Sequence, residues 1–82
     1  MTLLNQVNTI LYSVLQIDET RQPLTIDSPL LGALPEFDSM AVVVIITRLE
    51  DHFGFAIDDD EIDATVFETV GSLLSFVSGK LA

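Results

Sequence analysis

The residues best suited to chemistry are Asp38, Ser39 and Met40. Asp38 is of a type that caps helices, and the apolar residues after it recur at helical spacing, which puts Ser39 at the start of a helix. A serine there sits on a rigid support, faces solvent, and has a hydroxyl free to carry a group. Nucleophilic catalysis is a poor fit: the chain has one histidine, His52, no cysteine, and no triad spacing. His52 falls near a helix C-terminus, where a proton is welcome, and is assigned no catalytic role. The other concentration of functional groups is Asp58-Asp59-Asp60-Glu61-Ile62-Asp63. It lacks the alternating ligands, central glycine and distant glutamate of an EF-hand loop, and reads as a solvated acidic helix start with no metal site.

Helices must position Ser39. Leu3, Leu4, Val7, Ile10, Leu11, Val14 and Leu15 form one apolar stripe, with Asn5, Gln6, Asn8, Thr9, Ser13 and Gln16 on the other face. With Thr2 as N-cap, the first helix is expected over 2–16. The pattern lapses from Ile17 to Phe37, where Pro23, Pro29, Gly32 and Pro35 interrupt it. Leu24, Ile26, Leu30, Leu31 and Leu34 are the expected anchors of this long loop. A short turn near 28–31 is expected, capped by Asp27 or Ser28 with Pro29 at its first position.

Residues 41–47 alone would pass for a buried strand. The pattern runs on to Phe53, follows the stripe Val42, Ile45, Ile46, Leu49 and Phe53, and has no partner strand, so a helix over 39–53 is expected, ended by Gly54. A short third helix is expected near 59–64, favoured by acids at its start. Thr65-Val66-Phe67 connects it to a last helix over 69–80, with Thr69 as N-cap and Val70, Leu73, Leu74, Val77 and Leu81 at helical spacing. The expected fold is all-α: a small four-helix bundle of three main helices and one short one, with a long first loop.

Size and composition suit one free-standing domain over residues 1–82. The apolar fraction of 49% can supply one core, and the absence of cysteine means that packing alone must hold it. Thirteen acids against three bases give a formal charge of −10, which repels nucleic acid and anionic membrane and favours basic docking surfaces. No charged segment precedes the apolar N-terminus, and the longest apolar run, 40–46, is too short to cross a bilayer. A cytoplasmic location is expected.

The order of features is apolar helix, loop with Leu-Leu-Gly, Asp-Ser-Met, apolar helix ending in Phe, acidic turn, and a Thr-Val-Gly-Ser-Leu helix. Over essentially the whole chain this resembles the acyl and peptidyl carrier proteins, small helical domains that bear 4′-phosphopantetheine on a serine. The run Ser-Pro-Leu-Leu-Gly-Ala-Leu-Pro-Glu-Phe-Asp-Ser-Met looks most like small stand-alone bacterial carriers, including those found with exosortase-type surface systems. The resemblance implies that Ser39 Oγ receives phosphopantetheine from coenzyme A through a phosphopantetheinyl transferase. The arm's thiol would then carry an acyl or aminoacyl group as a thioester between ligases, synthases or transferases. It implies a carrier without catalytic turnover. Asp38 matches the acid of the family motif, whose implied role is transferase recognition. Met40 stands where the family most often has leucine.

Many fatty-acid carriers have acids on the outer face of this helix. Here Met40, Val43, Val44 and Thr47 point partly outward, with Ala41 and Arg48 beside them, and acids come only at Glu50 and Asp51. Two readings stand: a wide stripe buried under the long loop, or a partner surface driven by apolar burial. An unmodified helical adaptor using the same face is the alternative function, and a divalent-cation buffer at the acidic turn is a weaker one. The charge itself gives a test. Self-repulsion opposes compaction and salt screens it, so the melting temperature is expected to rise with added sodium chloride. A Tm that stays flat or falls would contradict this.

Overall fold

The computed structural model describes residues 2–18, 20–21, 23–31 and 37–81, and of Asp59 only the backbone. Among the described residues the fold is three α-helices and one 3-10 turn, with no strand beyond an isolated bridge. The first helix, α1 (Leu3–Leu15), is capped by the Thr2 hydroxyl, which accepts from Asn5 N–H at 3.1 Å. It packs against both other helices.

The second helix, α2 (Ser39–Phe53), runs as expected and ends where Gly54 takes a left-handed conformation, φ +74°, and donates its N–H to Glu50 O. Its run of valines and isoleucines loses side-chain freedom in a helix. Packing on one side offsets this: Ile45 and Leu49 are buried, and Val42, Ile46 and Phe53 lie against the core. The third helix, α3 (Val70–Leu81), contributes Val70, Leu73 and Val77. With Val7, Ile10, Leu11 and Leu15 of α1 and with Leu30, Phe37 and Phe67 from the connections, these complete one core.

The long loop is held differently from the expectation. Leu30 is fully buried, Leu24 half-buried, and Ile26 and Leu31 exposed; Leu34 lies outside the described residues. Of the turn expected near 28–31, residues 28–30 are extended instead. Ser28 instead closes a turn with Thr25, accepting the Thr25 N–H at 2.8 Å. Pro29 then bridges Thr69 in an extended pairing. Leu30 N–H donates to Glu68 O, Leu31 N–H to Phe67 O, Val70 N–H to Ser28 O and Gly71 N–H to Ile26 O, at 2.7–3.0 Å. Backbone pairing wins because the free donors at the start of α3 need acceptors. Each such bond contributes about 0.5–1.5 kcal/mol, and burying Leu30 about 1.5–3 kcal/mol, so the four bonds together contribute at least as much as the buried side chain.

The loop is also gripped from α1. Asn8 Nδ2 donates to Leu24 O at 3.1 Å, and Tyr12 Oη accepts the Leu24 N–H at 2.7 Å. Asn8, expected on the polar face, is therefore buried.

The short helix expected near 59–64 is only a 3-10 turn, Asp59–Glu61. Two side chains compete with further helix there. Glu61 turns back to accept Asp58 N–H at 2.8 Å, and Asp63 accepts from Thr65 N–H and Val66 N–H. Glu61 also meets Lys80 of α3 with Nζ–O distances of 2.9 and 3.0 Å, which ties the turn to the last helix.

Gly71 explains itself in this setting. A Cβ there would stand 2.8 Å from Ile26 O and 3.2 Å from Ile26 Cγ1. Gly71→Ala is expected to cost about 1–3 kcal/mol by crowding this contact, lowering Tm by at least about 4 °C. A variant as stable as wild type would mean that the loop yields freely. A second test concerns Glu61, whose carboxyl is held below its ordinary value of 4.5 by the Asp58 N–H and then by Lys80. A lowered folded pKa stabilises above 4.5 and the contribution fades as pH falls through the folded value. Glu61→Gln should therefore show a Tm deficit at pH 7 that closes on acidification, followed by thermal melts across the pH range.

Candidate functional site

Ser39 is the first residue of α2 and is exposed. Its placement starts one step earlier in the chain. Phe37 is buried, its ring 5.7 Å from that of Phe67, so the chain is fixed immediately before it turns into the helix. Asp38 follows in an extended conformation, and its Oδ1 accepts the Ala41 N–H at 2.9 Å. Its carbonyl accepts the Val42 N–H at 3.1 Å. The cap thus satisfies the third and fourth donors of α2. The N–H groups of Ser39 and Met40, and the Ser39 hydroxyl, have no partner among the described residues.

The start of α3 makes the contrast clear. There Val70 and Gly71 N–H go to loop carbonyls, and Thr69 and Ser72 cap each other reciprocally at 3.0 and 3.1 Å. No donor is left over for a ligand. At α2, among the described residues, two are, beside the exposed Ser39 hydroxyl and at the positive end of a 15-residue helix. A phosphate ester on Ser39 fits this site. Its oxygens would meet N–H donors and a favourable dipole, while the Asp38 carboxylate is engaged with Ala41.

The sequence left open whether the outer face of α2 is covered. It is not. Met40 is 72% exposed, Val43 60% and Val44 40%, and Thr47 and Arg48 are exposed too. The Thr47 hydroxyl turns back to Val43 O at 3.0 Å. Ala41 differs from its neighbours: it is half-buried and lies against the core. The structure therefore brings Ser39, Met40, Val43, Val44, Thr47 and Arg48 to the outside of one helix, with Ala41 at its inner edge.

His52 Nε2 lies 2.9 Å from Gln6 Oε1, and its ring meets Phe53 edge-on at 4.7 Å. It links α2 to α1 at the end away from Ser39. At the acidic turn, the described carboxylates of Glu61 and Asp63 face N–H donors and Lys80, and no group of possible metal ligands occurs among the described residues. The Phe37–Phe67 pair was not singled out in the sequence. Its only signal there is an apolar residue directly before a cap.

The family model described as a phosphopantetheine attachment site matches residues 5–77. Among solved structures, the chain is similar to a holo acyl carrier protein from Nitrosomonas europaea, determined in solution by NMR. The two are 54% identical, with a TM-score of 0.87, over 99% of this chain and 98% of that one. A search of curated proteins finds no match.

Proposed function

The chain belongs to the family of acyl carrier proteins, which bear covalent 4′-phosphopantetheine and are carriers, not enzymes; from that premise we infer that the group is attached at Ser39 Oγ. The observation that carries this reading is the exposed hydroxyl beside two N–H donors without partners among the described residues at the start of α2. The attached arm supplies a thiol that holds a carboxylic acid, acyl or aminoacyl, as a thioester.

The chain's own residues have distinct parts in this. Ser39 presents its hydroxyl to a phosphopantetheinyl transferase, which delivers the group from coenzyme A. Asp38 fixes the helix start through Ala41 N–H and offers the transferase a carboxylate beside the attachment point. The N–H groups of Ser39 and Met40 face the phosphodiester and hold it at the helix end. Met40 gives a flexible apolar contact next to the arm. The chain has no cysteine, so no other thiol competes for the cargo. Acyl ligases, synthases and transferases would dock on the outer side of α2, through Val43, Val44, Thr47 and Arg48 with Ala41 at the margin.

Residues 1–82 act as one attachment domain in this reading, working in the cytoplasm. The exposed patch of Met40, Val43 and Val44 also favours a second reading, an adaptor that needs no modification. One experiment separates them. Incubated with coenzyme A and a broad-specificity phosphopantetheinyl transferase, the protein should gain one phosphopantetheine by intact mass, located on Ser39 by fragmentation. Ser39→Ala should gain none while keeping its helical circular dichroism. An unmodified wild type, or a modified Ser39→Ala, would overturn the assignment.

A further inference from the structure

The three cations of this chain differ in their surroundings. Arg21 Nε stands 3.9 Å from Asp18, and Lys80 is held by Glu61 at 2.9 Å. Arg48 has no carboxylate partner among the described residues, although Asp51 lies one turn further along the same helix. In a protein with thirteen acids and a charge of −10, the cation without a carboxylate partner among the described residues is thus an exposed residue of α2.

Its place on the helix gives this meaning. Arg48 follows Val44 by four residues and Thr47 by one, and Val44 follows Met40 by four, so the guanidinium closes the far end of the exposed apolar patch. The patch and the cation form one surface that begins at Ser39. From Ser39 to Leu49 it carries no acid; Glu50 turns aside to accept Ile57 N–H at 2.8 Å, and exposed Asp51 lies just beyond Arg48. The sign of this surface is opposite to that of the chain as a whole.

We propose that the enzyme that acylates this carrier docks on Met40, Val43, Val44 and Arg48 with an apolar socket that has a carboxylate at its edge, opposite Arg48. The proposal rests on Ser39 being the attachment point, which places the surface beside the arm. Charge complementarity selects this occupant. An arginine at the rim of an apolar contact pairs with a carboxylate in bidentate geometry and orients the partner. A basic docking surface, attracted by the net charge, would meet Arg48 with the wrong sign. A second copy of the chain would add another ten negative charges, and an anionic membrane faces the same repulsion.

The test uses full-length protein converted to the holo form with coenzyme A and a transferase, then acylated by extract of its native host and followed by intact mass. Conversion to the holo form is scored first. If Ser39 gains no arm, the attachment reading has failed and this inference falls with it. With the arm in place, Arg48→Glu should slow acylation at least tenfold, and Arg48→Lys should slow it less. Val44→Glu, which puts a charge into the socket, should nearly abolish it. Melting curves confirm that each variant is folded. Acylation of holo Arg48→Glu at the wild-type rate would overturn the proposal while leaving the attachment site standing. Faster acylation would overturn it in favour of a basic partner, and concentration-dependent dimerisation lost in Val44→Glu would overturn it in favour of a second copy.

Discussion

A long connection in a small bundle must find partners for its backbone polar groups, and here it finds them at the start of α3. The four hydrogen bonds between residues 26–31 and 67–71 satisfy both sides at once. They give the loop its acceptors and donors, and they close the N-terminus of α3, whose first N–H groups would otherwise be orphaned. Leu30 is carried into the core as a consequence. The nearness of the two backbones leaves no room for a side chain at residue 71, so a single glycine permits the whole arrangement. Asn8 and Tyr12 fasten the same loop to α1 through the two backbone groups of Leu24. The connection is thereby a structural member of the fold, even though its described residues form no helix and only an isolated bridge.

That constraint creates the difference between two helix starts. The N-terminus of α3 is used up by the fold. The N-terminus of α2 is reached from Phe37, which is pinned to Phe67, and is then only partly capped by Asp38. An N-cap aspartate typically contributes about 1 kcal/mol, enough to hold the first turn, and it leaves the two outermost donors without described partners. Attachment at Ser39, as proposed, would use such a place: a hydroxyl on a fixed support with N–H groups beside it. Rigidity and availability are supplied by different residues. The aromatic pair and the cap give the first, and the exposed position of Ser39 gives the second.

The main helices were legible because their stripes are strong and their ends carry conventional signals. Thr2, Asp38, Gly54 and Thr69 all serve as the caps their types suggest. The loop was less legible. Its apolar residues look alike in sequence, yet among the described ones only Leu30 is fully buried, because burial there follows from backbone pairing with a segment nearly forty residues away. Asn8 misled for a related reason: a polar residue belongs in the core when a loop carbonyl arrives to meet it. The acidic turn misled because Glu61 and Asp63 act on their own backbone, an option that competes with the helix their charges would favour. At the site, Asp38 and Ser39 were readable from type and position, while the exposure of the outer face of α2 depends on where the loop runs and needed the structure.

That outer face raises a question that folding physics leaves open. Valine is a weaker helix former than alanine or leucine by several tenths of a kcal/mol, and α2 already has β-branched residues where the core requires them, at Val42, Ile45 and Ile46. At 43 and 44 the side chains are exposed, so they add the propensity cost without the burial that offsets it elsewhere. A helix selected only for stability would have alanine, glutamate or lysine there, and a carrier relying on its net charge would have acids. Arg48 runs against that charge in the same place. Val43 and Val44 are unfavourable for the isolated fold, and they lie with Arg48 on one side of one helix that starts at Ser39. A surface of that kind makes physical sense when its apolar area is covered by another protein, since burial then returns about 25 cal/mol for each Å² removed from water.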